Sequence, residues 1–305
     1  MRRPDDPAPA DRAATGARRA TSALLVASAA LLILSAVLDL VIAGAGALAM
    51  VSGFAFAIVH GRLTIGGRNV AAFIVITVVV SFAAEATGVA TGIVFGDYHY
   101  TSELGPRILG VPPIVQLAYV AMAYASMMTA RAILGVRGPQ RGWRIVAVAF
   151  AGAIPMVGWD VTMDPHLSTI EGAWIWEDGG EYFGVPLHNY VGWFLTVFVF
   201  LVLYGLWESR TARGAAPRAA SPWLWVEPAL FYGIIAVGAV LSPLLAGIPD
   251  TLASPGNYAG SNRDMVLSLS LVGAFTMGGP LAFALLRTAL DARPSAHARP
   301  SAAGT

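Results

Sequence analysis

Long apolar segments separated by short polar loops constrain this chain more than any other feature. Hydrophobic residues make up 56% of its 305 residues and charged residues only 12%, whereas a soluble domain carries about a quarter charged residues. Several apolar runs approach the roughly 20 residues that an α-helix needs to cross about 30 Å of hydrocarbon. The sequence therefore predicts an all-α protein, a polytopic transmembrane helical bundle.

The apolar runs predict about eight membrane spans, with seven as the alternative if the hairpin around Asp39 does not cross fully. The predicted spans are 22–38, 40–59, 69–93, 113–134, 144–163, 188–207, 224–247 and 265–286. We expect one transmembrane domain over residues 21–290. The flanking segments 1–20 and 291–305 lack apolar periodicity and are predicted to be disordered cytoplasmic tails.

The basic residues, all of them Arg, predict the orientation of the bundle. If the N-terminus lies in the cytoplasm, seventeen of the 19 Arg residues fall on the inner side, and only Arg107 and Arg263 fall outside. Inner loops of membrane proteins carry such an excess of positive charge. We therefore expect a multi-pass protein of the cell membrane with both termini in the cytoplasm and with loops 94–112 and 164–187 facing outward.

Metal and redox chemistry find little support in the sequence. The chain contains no Cys, which excludes disulfides, thiolate metal sites and Cys nucleophiles. His99, His166 and His188 fall on the predicted outer side, but their spacing matches no metal-ligand signature such as HExxH. No nucleotide-binding glycine fingerprint occurs. We expect no metal, no cofactor and no nucleic-acid partner.

Two polar stretches rich in glycine and aromatic residues, 85–119 and 159–194, interrupt the apolar pattern. Each begins with an acidic residue near the end of a predicted span and later passes through a Gly-Val-Pro triplet that leads into the next span. Carboxylates at membrane depth are costly and mark function more often than fold. A functional site is therefore expected between these two stretches.

The candidate catalytic residues are the carboxylates Glu85, Asp160 and Asp164. Asp160 and Asp164 lie four residues apart and so share a helix face, and Pro165 is expected to end that helix. A structural hydrogen bond is the alternative role for Glu85, and a helix-end position is the alternative for Asp164.

Aromatic side chains are concentrated in the same two stretches. They form either the aromatic belt found at the ends of membrane spans or the wall of a groove for an elongated apolar ligand, where ring faces stabilise a cation. The sequence leaves both open. The candidate binding residues are Phe95, Tyr98, His99, Tyr100, Trp159, Trp176, Tyr182, Phe183, His188, Asn189 and Trp193.

The order and spacing of these motifs over about residues 80–200 resemble the carotenoid biosynthesis membrane proteins of the carotenoid hydratase type. That group includes the γ-carotene 1'-hydroxylating hydratases and the bisanhydrobacterioruberin hydratases. The motifs that carry the resemblance are Glu85-x-x-Gly88, Phe95 to Tyr100 (FGDYHY), the triplet from Gly110, Trp159 to Pro165 (WDxxxDP), Trp174-x-Trp176, and Tyr182 to Trp193.

The resemblance implies a hydro-lyase that adds water to the terminal C=C bond of a linear carotenoid end group and forms a tertiary alcohol. It implies a linear carotenoid substrate, a lipid bilayer and other carotenoid biosynthesis enzymes as partners, and no redox cofactor. The residues fit this chemistry. A carboxylic acid in an apolar setting can donate the proton, a second carboxylate can orient the water, and aromatic faces can stabilise the carbocation between these events. We expect Glu85 and Asp160 to form this pair.

Two other functions compete with hydration. Asp160 and Asp164 resemble half of a diphosphate–Mg²⁺ motif, which would indicate a prenyltransferase-like enzyme, although only Arg107 and Arg263 supply positive charge on this side. A non-catalytic carotenoid- or isoprenoid-binding protein or transporter, with the carboxylates as relay or gate, is the other alternative.

Overall fold

The computed structural model describes residues 15–16, 18–27, 30, 45–211, 223–245 and 258–291, and within them the chain is a helical bundle. The helices are α1 (Ala45–Thr64), α2 (Gly67–Thr91), α3 (Pro113–Ile133), α4 (Trp143–Asp164), α5 (Leu187–Thr211), α6 (Trp223–Leu245), α7 (Asn262–Thr276) and α8 (Gly278–Asp291). Two short strands, β1 (Tyr98–Tyr100) and β2 (Trp174–Trp176), and a π-helix (Pro165–Ile170) complete the named elements. The predicted all-α class is confirmed.

Five helical segments in the described part of the chain are long and apolar enough to cross a membrane. They are Gly67–Thr91, Pro113–Ile133, Trp143–Ile170, Leu187–Thr211 and Asn262–Asp291, and shorter apolar helices cover Leu48–Thr64 and Trp223–Gly238. The chain is therefore a membrane protein. The predicted bounds of spans three to seven agree with α2 to α6 to within a few residues.

Two predicted spans differ from the observed helices. The span expected at 40–59 corresponds to α1, which continues beyond the predicted end to Thr64; residues 40–44 lie outside the described part of the chain. The span expected at 265–286 is divided into α7 and α8 by Met277. Pro280 lacks the N–H that would bond to the carbonyl of Thr276 in a continuous helix, and the glycines beside it weaken the helix further.

Several predicted features fall outside the described residues. They are most of span 22–38, the hairpin around Asp39, residues 292–305 and most of the predicted N-terminal tail, although residues 18–27 are helical.

The helix α4 ends at Asp164, immediately before Pro165, as expected. The helical path nevertheless continues, because Pro165 begins a π-helix that extends to Ile170. Asp164 is consequently held inside a continuous helical segment, where its side chain is buried.

Two segments of the bundle share one order of elements. In the first, α2 leads through β1 to α3, and in the second, α4 leads through the π-helix and β2 to α5. The strands β1 and β2 pair antiparallel, with Tyr98 opposite Trp176 and Tyr100 opposite Trp174. The antiparallel pair has a local twofold axis that exchanges β1 and β2.

Each segment reaches its second helix through the same tight turn. The outer residues of turn 108–111 exchange two backbone hydrogen bonds of 2.9 and 3.0 Å, and those of turn 182–185 exchange two of 3.1 and 3.0 Å. The two central residues have φ of 48° and 83° in the first turn and 52° and 88° in the second. Two successive positive φ values define a type I′ turn, which explains why Gly110 and Gly184 open the Gly-Val-Pro triplets.

The helix α3 lies at the centre of the bundle. It packs against α1, α2, α4, α6 and α8, and every residue from Tyr119 to Ala132 is buried. Its C-terminal end carries a buried ion pair, in which Arg131 Nη1 lies 3.0 Å from Glu208 Oε1 on α5. Its N-terminal half carries Tyr119, which bonds to Glu85 on α2 and stacks on Trp193 of α5.

The orientation in the membrane stays a prediction, and single-cysteine labelling tests it because the chain has no Cys of its own. Ser102→Cys and Asp178→Cys, both exposed on the expected outer loops, should react with a membrane-impermeant maleimide on intact cells. Arg141→Cys, exposed between α3 and α4, should react only after the cells are opened. The reverse pattern would place the loops at the cytoplasmic face. Ser168 is unsuitable as a probe because it is only 1% exposed.

Candidate active site

Three buried carboxyl groups gather at the end of the bundle that carries β1 and β2. Glu85 comes from α2, and Asp160 and Asp164 come from α4; they are 2%, 1% and 1% exposed. Both aspartates lie within electrostatic reach of Glu85. The structure therefore brings together all three residues that the sequence singled out as catalytic candidates.

Three tyrosine hydroxyl groups surround the carboxylate of Glu85. Tyr98 and Tyr100 donate to Oε2 at 2.5 and 2.9 Å, and Tyr119 donates to Oε1 at 2.8 Å. Tyr98 and Tyr100 are alternate residues of β1, so their side chains point to the same face of the two-stranded ribbon that β1 and β2 form. The Tyr-His-Tyr sequence thus delivers two donors to one acceptor oxygen.

Asp164 in the second segment is hydrogen-bonded in the same way as Glu85 in the first. Trp174 and Trp176, the alternate residues of β2, donate their indole N–H groups to Oδ1 at 2.9 and 3.2 Å. Asn189 on α5 donates to Oδ2 at 2.7 Å. Each of the two carboxylates therefore receives two donors from its own strand and one from the helix that follows.

Asp160, unlike Glu85 and Asp164, has hydrogen bonds from the described residues to only one of its two carboxyl oxygens. Its Oδ2 accepts a hydrogen bond of 3.0 Å from the amide of Asn189. Asn189 therefore donates one N–H to each of the two aspartates. The Oδ1 of Asp160 is buried and has no hydrogen-bond partner among the residues that the structure describes. Since buried polar atoms are nearly always partnered in folded proteins, Oδ1 of Asp160 is the atom of this cluster that is free to act on a ligand.

Aromatic rings form a continuous layer around the carboxyl groups. Trp193 on α5 stacks on Tyr119, with ring centroids 4.6 Å apart and planes 5° apart, and Trp159 meets Trp193 edge-on at 6.0 Å. Across the ribbon, Tyr98 contacts Trp176 at 4.9 Å. These rings are buried, so they form a wall inside the bundle. A belt at the lipid surface would not have this geometry.

Phe95 fills the space between the ribbon and the helices. Its ring contacts Tyr98 at 6.3 Å and Trp193 at 6.4 Å. It reaches this position because Gly88 has no side chain: a Cβ there would lie 2.8 Å from Phe95 Cδ2. The glycine of the Glu85-x-x-Gly88 motif therefore makes room for the aromatic wall.

The tyrosines of β1 act as hydroxyl donors over the whole physiological pH range. Burial raises the pKa of Tyr98 and of Tyr100, and the nearby charge of Glu85 raises both pKa values further. Arg107 donates to the backbone carbonyl of Tyr100 and so anchors the end of the strand from the outer side.

Some predicted binding residues lie outside the carboxylate cluster. His99 points to the opposite face of β1, where it is exposed and pairs with Glu177. His188 is exposed at the start of α5. Phe183 contacts Tyr258 at 5.7 Å and belongs to a separate apolar cluster against α7.

Tyr182 lies between these two regions. Its ring contacts Phe183 at 4.8 Å and Tyr190 at 5.7 Å. Burial raises the pKa of its hydroxyl to about 12.

Tyr119, Trp174 and Tyr190 are site residues that the candidate set omitted. Tyr119 lies seven residues after Pro112, and Trp193 lies seven residues after Pro186. Superposing the two Gly-Val-Pro triplets would have indicated Tyr119, because Trp193 was already a candidate.

Diphosphate-binding chemistry is a poor match to this cluster. Both oxygens of Asp164 are taken by indole and amide donors, which leaves them unable to bind Mg²⁺ without breaking those bonds. Over the described ranges, no three His, Cys, Asp or Glu side chains are grouped so that they could hold a metal ion.

A family model described as carotenoid biosynthesis protein matches residues 40–251. The bisanhydrobacterioruberin hydratase of Haloarcula japonica is 30% identical over 151 residues, which are 48% of this chain and 48% of that protein. The chain thus aligns with about half the length of this curated relative. No solved structure matches the chain.

The three hydroxyl donors to Glu85 are expected to contribute unequally to the stability of the protein. Thermal unfolding in detergent measures this difference. Tyr119→Phe removes the hydroxyl that donates to Oε1, whereas Tyr100→Phe leaves Oε2 with Tyr98. An unsatisfied buried acceptor costs about 1–3 kcal/mol, and more when it is charged. Tyr119→Phe should therefore lower the unfolding temperature more than Tyr100→Phe. Equal shifts would contradict the arrangement of donors described here.

Proposed function

The chain belongs to the carotenoid biosynthesis protein family, and from this premise we propose that it is a carotenoid hydratase. It adds water to the terminal C=C bond of a linear carotenoid end group and forms a tertiary alcohol. The name of the Haloarcula japonica relative supports hydration as the reaction. The observation that carries the proposal is the free Oδ1 of Asp160, buried among aromatic rings and beside two fully hydrogen-bonded carboxylates.

Asp160 is the proton donor in this mechanism. A lone pair of Oδ1 faces no hydrogen-bond donor among the described residues, and an uncompensated charge in such a place is costly. The neutral acid is therefore the form that the site accommodates at this position. It transfers its proton to the less substituted carbon of the terminal double bond, and the π electrons form the new C–H bond. The positive charge is left on the tertiary carbon.

Glu85 and Asp164 stabilise that charge without leaving their hydrogen bonds. Their donors are phenol, indole and amide groups, all neutral, so both carboxylates can keep a full negative charge. Fixed charges placed where charge develops are among the largest contributions to catalysis. The ring faces of Trp193 and Trp159 add cation–π attraction of up to about 2 kcal/mol each in a water-poor site.

Water then completes the reaction. Its oxygen forms a bond to the tertiary carbon, and one of its protons passes to the carboxylate of Asp160. The acid is restored and the sum is alkene plus water giving alcohol. No electron leaves or enters the substrate in this sequence of steps.

A cellular assay tests the function directly. A host that makes a linear carotenoid with an unmodified end group should, when it expresses this protein, accumulate a product heavier by one water. Mass spectrometry of the extracted pigments measures the gain. Unchanged pigment in cells that contain the folded protein would favour a carotenoid-binding or transport role, and a product heavier by a prenyl group would favour prenyl transfer.

Isosteric substitutions should show how much each of the three carboxyl groups contributes to the rate of hydration. Asp160→Asn keeps the shape and removes the acid, so the rate of hydration should fall by about 10²–10⁴, the usual contribution of a general acid. Glu85→Gln and Asp164→Asn should each reduce the rate by a smaller and mutually similar factor, because they hold equivalent positions. The matched control is Asp178→Asn, an exposed carboxylate of the outer loop, which should leave the rate unchanged.

Near-normal hydration by Asp160→Asn, with the variant accumulating normally, would exclude Asp160 as the proton donor. A total loss with Glu85→Gln alone would transfer that role to Glu85.

A further inference from the structure

The local twofold axis allows one pair of positions to be compared in both segments. In the first segment, Ser81 lies four residues before Glu85, and Gln116 lies four residues after Pro112. The Ser81 hydroxyl donates to Oε1 of Gln116 at 2.6 Å, and both side chains are buried. These two positions therefore face each other across the contact between α2 and α3.

The equivalent positions of the second segment hold Asp160 and Tyr190. Asp160 lies four residues before Asp164, and Tyr190 lies four residues after Pro186. When the twofold axis of β1 and β2 is extended to the helices beside them, α4 and α5 correspond to α2 and α3, and the side chains of Asp160 and Tyr190 are expected to face each other in the same way. The Tyr190 hydroxyl lies within electrostatic reach of both aspartates, which agrees with that placement.

The two groups nevertheless do not bond to each other. Oδ1 of Asp160 and the hydroxyl of Tyr190 are both buried, and neither has a hydrogen-bond partner in the described part of the chain. Ser81 and Gln116 close the corresponding gap directly. Two buried polar atoms that have no partner and lie within electrostatic reach of each other are a site for a bridging water molecule, which can donate two hydrogen bonds and accept two.

We infer that Tyr190 and Asp160 bind the water molecule that attacks the carbocation, so that Tyr190 decides whether the cation is hydrated or returns to an alkene. This inference rests on the proposed hydratase function. Tyr190 holds the water by a hydrogen bond to its hydroxyl group. The ring of Tyr182 contacts that of Tyr190 edge-on, with ring centroids 5.7 Å apart and planes at 84°. This contact fixes the orientation of the Tyr190 side chain.

The cation has two fates, and their atoms balance differently. Attack by the bound water forms the C–O bond, and the released proton returns to Asp160. Without a positioned water, the cation loses a proton from a neighbouring carbon to the Asp160 carboxylate, and the C=C bond is restored. When Asp160 has exchanged with D₂O beforehand, the second fate leaves deuterium in the recovered alkene.

The test measures both fates at once in membranes that contain the whole protein, a linear carotenoid and D₂O. Tyr190→Phe keeps the ring and removes the hydroxyl. Hydration should fall by about 10- to 100-fold, a loss typical of a misplaced reactant, while deuterium continues to enter the recovered alkene. Asp160→Asn should lose both hydration and deuterium incorporation.

Two further variants sharpen the result. Tyr258→Phe removes a hydroxyl on the same side of the bundle without touching the carboxylates and should behave as wild type. Tyr190→Gln places the polar residue of the first segment at the equivalent position, and it should retain more hydration than Tyr190→Phe. If Tyr190→Phe fails to accumulate, Tyr190→Gln provides the test. The quantity measured is the amount of hydrated carotenoid divided by the amount of deuterated alkene, and a ratio below that of the wild type supports the inference.

Unchanged hydration in Tyr190→Phe would overturn the inference, and so would a parallel loss of hydration and deuterium incorporation, since the hydroxyl would then act on folding or on protonation. Failure of the proposed function gives a different result: wild-type membranes would produce neither hydrated carotenoid nor deuterated alkene above membranes without the protein.

Discussion

Two buried carboxyl groups that only neutral donors hold are the constraint on which this end of the molecule depends. A carboxylate removed from water is costly unless hydrogen bonds replace its hydration. Six phenol, indole and amide donors do so for Glu85 and Asp164. Four of the six come from the ribbon, which explains why a helical membrane protein keeps two three-residue strands. None of the six donors carries a positive charge, so any negative charge on this pair is not neutralised by its partners, as the proposed cationic intermediate requires.

The two segments also show how a duplicated arrangement can diverge. The turns, the strands and the placement of one carboxylate per segment are alike. The stacked rings of Tyr119 and Trp193 lie at equivalent positions. One turn deeper in each helix the segments differ, because a hydrogen-bonded serine in the first corresponds to a carboxyl group with a free oxygen in the second. Among the described residues, both oxygens of the buried carboxylate of the first segment are hydrogen-bonded, whereas the second segment keeps one buried carboxyl oxygen without a partner.

Sequence reasoning reached the helices and the location of the site because both depend on local properties. Apolar length indicates a span, and an acidic residue within a span is conspicuous. The roles within the site depend on contacts between distant residues. Strand register decides that Tyr98 and Tyr100 face inward while His99 faces outward, and a three-residue strand carries too little alternation to predict it. Asp160 and Asp164 share a helix face, so only the positions of the two tryptophans and Asn189 reveal which oxygen is free.

The single incomplete carboxyl group has a consequence for any substrate with two identical ends. With Asp160 as the proposed proton donor, the described part of one chain offers one protonating oxygen, because Glu85, the buried carboxylate of the first segment, has hydrogen bonds to both of its oxygens. Both ends of a symmetrical polyene can therefore be modified by this chain only in separate visits, with the molecule released and reinserted in the opposite sense between them. A singly modified intermediate must then exist free in the lipid phase, where it is open to capture by other enzymes.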